Sequence, residues 1–149
     1  MRAYNLNRRD LERYGELKSA VARIEGEMRE IRAKLQELNE YHVNIGAPIT
    51  GMPNGNTTSD STANFVIKLE EDRRRLMAKH NSLEKKLNST KNQICKIRNA
   101  VFGVANKQLM QILKWHYLEG LTISQTADKV YLSRDGVYKK INRFFVKNK

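Results

Sequence analysis

Residues 17–38 read LKSAVARIEGEMREIRAKLQEL, and within them Leu17, Val21, Ile24, Met28, Ile31, Leu35 and Leu38 follow one another at spacings of 4, 3, 4, 3, 4 and 3. That alternation keeps one narrow apolar stripe on a helix, the seam along which two helices wind together. The positions between them carry mixed charges, which suits a solvated face with i,i+4 pairs. Leu11 and Tyr14 extend the stripe backward and Ile45 forward, with His42 interrupting it.

A second stripe runs through Phe65, Leu69, Leu76, His80, Leu83, Leu87, Ile94, Ile97 and Val101, with Thr90 filling one slot. Between the stripes lies GAPITGMPNGNTTSDST, residues 46–62, which holds both prolines and three glycines and reads as a loop. Ser61 or Thr62 is placed to cap the helix that follows. A narrow seam is not stable alone in water and has to pair. The expected fold is therefore all-α: a long antiparallel helical hairpin (coiled coil) over residues 1–102, with its loop at 46–62. Leu17, Val21, Ile24, Met28, Ile31, Leu35, Leu38, Leu69, Leu76, Leu83, Leu87 and Ile94 are expected to serve oligomerisation as well, giving a homodimer or a higher homo-oligomer.

Charge is distributed unevenly. Residues 1–63 hold 9 Lys/Arg and 9 Asp/Glu, whereas residues 64–149 hold 19 against 7, so the whole net charge of +12 sits in the second half. Such asymmetry implies a polyanionic partner, most simply double-stranded DNA. The runs at 73–75 and 85–86 are read as solvated helix faces rather than phosphate contacts. No apolar run approaches the roughly 20 residues of a membrane span, and the single Cys95 cannot form an internal disulfide. A reducing compartment fits, and a cytoplasmic location is expected.

After Gly103 the pattern changes. Leu109, Ile112, Leu113 and Tyr117 form an amphipathic helix that Gly120 ends. From Thr122 the spacing becomes that of a helix-turn-helix, and residues 103–149 are read as that domain. Ile123, Ala127 and Val130 give a short apolar stripe, with Ala127 small enough for a second helix to cross closely. Leu132 plugs the turn, and Ser133 is a natural N-cap, with Asp135 suited to the helix dipole. Val137, Ile141 and Phe144 then form one buried face, and the outer face carries Arg134, Tyr138 and Asn142 flanked by Asp135, Lys139 and Arg143. The candidate DNA-binding residues are Ser133, Arg134, Asp135, Tyr138, Lys139, Lys140, Asn142 and Arg143. A major groove admits one helix, where Arg134 can grip guanine and Lys139, Lys140 and Arg143 can hold phosphates.

At HYLEGLTISQTADKVYLSRDGVYKKINR, residues 116–143, the chain resembles the region-4 helix-turn-helix of sigma factors. Its layout, with GMPNGNTTSD in the loop, is similar to small phage-encoded late-gene transcriptional regulators of the ArpU and RinA kinds. The close resemblance covers about 40 C-terminal residues. It implies a regulator, here an activator of phage late genes, working at a promoter with host RNA polymerase. Three residues depart from the family pattern: Tyr131 stands at a usual glycine, Thr126 in a usually aliphatic slot, and Gly136 inside the recognition helix. Because an aromatic is costly in the left-handed region, the turn is expected to be reshaped.

Enzyme chemistry finds no support in the spacing. His42, His80 and His116 are scattered, no Cys/His cluster of metal-ligand spacing exists, and no glycine-rich phosphate loop follows a strand. No catalytic residue, cofactor or metal is expected. Nothing resembles the aromatic-rich segment with which a complete sigma factor melts a promoter. Two alternatives stay open: a phage DNA-packaging recognition subunit of the small-terminase kind, and a coiled-coil adaptor whose helix-turn-helix has degenerated.

Overall fold

In the computed structural model, residues 5–45 and 60–147 are described, with side chains described for 5–41 and 63–147. Among the described residues the chain is helical, with no strand. The elements are α1 (Arg8–Ile45), α2 (Asp60–Phe102), α3 (Lys107–Leu113) continued by a π-helical turn (Lys114–Leu118), α4 (Ile123–Val130) and α5 (Arg134–Lys147). The expected loop falls mostly on residues outside this description, as do the side chains of His42 and Ile45. Its last three positions belong instead to α2, which begins at Asp60, so Ser61 and Thr62 lie within the helix rather than before it.

The chain divides into two compact units, residues 23–87 and residues 1–22 with 88–149. The boundary thus falls inside the two long helices rather than at residue 102. The reason is the apolar content of the helix ends. Leu6, Leu11 and Tyr14, with Ile97 and Val101, are buried in one cluster with Leu113 and Leu118. The outer turns of both long helices therefore serve the core of the C-terminal elements, and a fully buried leucine contributes about 1.5–3 kcal/mol.

Within residues 23–87, Ile24, Met28, Ile31 and Leu87 are buried. Leu35, Leu38, Leu69, Leu76 and Leu83 are half-buried. The two strips run antiparallel, as the hydrogen bond from Arg32 Nε to His80 Nε2 at 3.3 Å requires when Leu11 and Tyr14 share a cluster with Ile97 and Val101. One seam position differs from expectation. Phe65 is 49% exposed, and Val66 is half-buried in its place. Spacings of 3 and 4 back from Leu76 run through Arg73 and Leu69 to Val66, so the stripe passes through an arginine.

In the other unit, α3, α4 and α5 pack on one another around a second cluster of Ile112, Ala127, Val130, Val137 and Ile141. The expected amphipathic helix after Gly103 is present but changes winding. It is α-helical to Leu113, then π-helical, with Glu119 N–H donating to Lys114 O at 3.0 Å. Gly120, at φ +73°, ends it in the left-handed region. Phe144 is half-buried and packs on the Leu11 cluster rather than on the Val137 face, while Phe145 touches both clusters.

Two phenols in this unit sit where ionisation is disfavoured. Burial, opposed by Arg98 and reinforced by Glu119, pushes Tyr14 above its ordinary value of 10.0. Burial, opposed by Arg8 and reinforced by Glu12, does the same for Tyr117. Each group binds its proton more tightly folded than unfolded, so it costs nothing below the unfolded pKa and destabilises as pH climbs through the folded one. In urea unfolding between about pH 9 and pH 11 the chain is expected to lose stability, and Tyr14→Phe to lose less. Equal losses in both proteins would show that Tyr14 does not contribute.

Candidate nucleic-acid interface

The helix-turn-helix forms because both of its helices are capped locally. Thr122 Oγ1 accepts from Gln125 N–H at 3.2 Å, and Gln125 Oε1 accepts in return from Thr122 N–H at 3.0 Å. This reciprocal pair satisfies two donors that a helix start leaves unpaired. The sequence motif TISQ carries the signal for it. At the second helix, Ser133 Oγ accepts from Gly136 N–H at 3.1 Å, as expected of an N-cap. A Cβ at residue 136 would lie 3.2 Å from that Oγ. Glycine here leaves room for the cap, which accounts for a residue that otherwise weakens a helix.

The turn itself is not reshaped. Tyr131 adopts φ 54°, ψ 45°, the left-handed conformation, despite its aromatic side chain. Ala127 O accepts from both Tyr131 N–H and Leu132 N–H, the closure by which helices commonly end. Tyr131 is 94% exposed, so its side chain gains nothing by packing to offset the strain. Leu132 packs partly buried against the second cluster, as a plug in the turn. Val137 and Ile141 are at 0% and 2% exposure, which commits one face of α5 to the core.

The remaining circumference of α5 presents the candidate residues in two settings. Ser133, Arg134, Asp135, Tyr138, Lys139, Asn142 and Arg143 are exposed. Arg134 and Tyr138 do not stand opposite the core; they flank the first turn of α4, where Arg134 Nε donates to Ser124 Oγ at 3.1 Å. With Thr122, Ile123 and Ser124 they line an open cleft of about 430 Å³. Lys140 leans the other way, half-buried, and donates from Nζ to Gln108 Oε1 on α3. With Asn106, Leu109, Arg143, Phe144 and Lys147 it lines a second cleft of about 370 Å³. Lys140 is thus drawn to the edge of the outward face, while Lys139, Asn142 and Arg143 stand fully on it.

Two cations outside the expected set complete the basic surface. Lys114 and Lys129 hold their Nζ atoms 4.8 and 5.1 Å from the centre of the Trp115 ring. Each ammonium group is attracted to the π system of the indole. Lys114 and Trp115 open the π-helical turn, and Lys129 reaches the ring from α4. His116 is turned inward, its Nδ1 bonded to Leu121 O at 2.7 Å.

Among the described residues no group of His, Cys, Asp and Glu could hold a metal ion, and no helix is long and apolar enough to cross a membrane. Comparison with protein-family models, with curated proteins and with solved structures finds no match to the chain.

Two stability measurements follow from the helix-turn-helix. Thr126 is fully buried, and its Oγ1 has no hydrogen-bond partner among the described residues. Thr126→Val, nearly equal in volume, is expected to raise unfolding free energy by about 1 kcal/mol. Tyr131→Gly is expected to raise it by ~1 kcal/mol through relief of the left-handed strain. Urea midpoints of the two variants check both, and a lowered midpoint in either contradicts the corresponding account.

Proposed function

We propose that the chain is a sequence-specific double-stranded-DNA-binding regulator of transcription, with α5 as the helix that enters the major groove. The observation that carries this reading is the division of α5. One face is sealed into the core through Val137 and Ile141, and the rest bears Arg134, Lys139, Asn142 and Arg143 in the open. A helix of 14 residues is about 21 Å long at 1.5 Å per residue, enough to lie in a groove that admits one helix. Arg134 lies in its first turn, beside the Ser133 cap, and a recognition helix meets base edges with its first turns, which supports this reading.

The charge supports a polyanion rather than a small ligand. Residues 103–149 carry 9 Lys/Arg against 3 Asp/Glu, Lys114 and Lys129 at Trp115 among them. The half-buried leucines of residues 23–87 support a homodimer, since a second copy would finish covering them. The resemblance of residues 116–143 to sigma region 4 supports action at a promoter, as an activator of phage late genes with host RNA polymerase, in the bacterial cytoplasm.

Gel-shift titrations on duplex from the genome surrounding the gene, with random duplex as control, test this. Two modules each neutralising about four phosphates give a log–log salt slope near −7. Arg134→Ala with Lys139→Ala is expected to abolish specific retention while leaving the helical circular-dichroism signal intact. Equal affinity of the unmodified protein for both duplexes would refute the proposal.

A further inference from the structure

The outward residues of α5 differ in how firmly they are held, and one is aimed by a neighbour. Arg134 Nε donates to Ser124 Oγ at 3.1 Å, between helices ten residues apart in sequence. Arg134 is itself exposed, and Asp135 is the only acid in the first turn of α5. A guanidinium carries five N–H donors in a rigid plane. With Nε engaged by Ser124, the two Nη groups at the far end remain for a partner, and their fork matches the O6 and N7 acceptors of guanine. The cleft lined by Thr122, Ile123, Ser124, Arg134 and Tyr138 lies open beside that fork.

We infer that Ser124 is a specificity-determining positioning residue, holding the Arg134 guanidinium so that its Nη edge reads a single guanine. The inference rests on the DNA-binding reading above. Ser124 itself makes no base contact; it removes the rotameric freedom that Arg134 would otherwise lose only on binding. Discrimination at one base pair should therefore depend on the Ser124 hydroxyl, whereas affinity for phosphates should not. Ser124 is the second residue of α4, whose start is already capped by the Thr122–Gln125 pair, so alanine there leaves the helix formed.

Selection of bound sequences from a random duplex pool, followed by titration against the selected duplex and its single-base variants, provides the test. The unmodified protein is expected to select one guanine that Arg134→Ala ceases to distinguish. Ser124→Ala is expected to weaken discrimination at that same guanine by about tenfold, since a good bidentate pair is worth 1–3 kcal/mol. Its affinity for random duplex should stay unchanged, and Ser124→Thr, which keeps a hydroxyl, should retain the preference. Unaltered discrimination in Ser124→Ala would overturn the inference, as would an equal loss on every duplex, which would mark Ser124 as a phosphate contact. Failure of the unmodified protein to bind any duplex would overturn the functional reading and this inference together, an outcome distinct from the other two.

Discussion

The contact on which the C-terminal elements depend is the burial of Ile112, Ala127, Val130, Val137 and Ile141 against one another's helices. Isolated helices shorter than about 12–15 residues are marginal in water, and α3 and α4 have 7 and 8. Neither can exist without an apolar partner surface, so their caps and their packing act together: caps fix where each helix starts, and the core decides that it forms at all. Thr126 is fully buried there, and its Oγ1 has no hydrogen-bond partner among the described residues.

Much of this was legible in the sequence because it is local. The 4–3 spacing of Leu17 to Leu38, the N-cap at Ser133 and the i,i+4 pair Val137 and Ile141 depend only on helix geometry. The misplaced seam position has an equally simple cause. Counting back from Leu69, Phe65 at i−4 and Val66 at i−3 are both apolar, and spacing alone does not choose between them. The registers differ by one residue, and only the neighbouring helix decides between them. Nor could spacing reveal that the first turns of α1 are shared with Leu113 and Leu118, since seam residues look alike whichever core they enter.

The candidate site was legible to the same extent. Which residues of α5 face outward followed from those that face inward. What each outward side chain touches did not, because that depends on the crossing of helices distant in sequence. Lys140 and Gln108 meet across 32 residues, and Arg134 and Ser124 meet only through the angle between α4 and α5. Lys129 meets Trp115 in the same way, from another helix.

Leu6, Leu11 and Tyr14 belong to the same cluster as Val101, Leu113 and Leu118, so residues around the start of α1 complete a core whose other members lie at and beyond the end of α2. A ribosome releases the first long before the second exists. The nascent chain therefore carries Leu6, Leu11 and Tyr14 without their partners while the long helices are being made, and contacts of such wide sequence separation are the kind that slow folding.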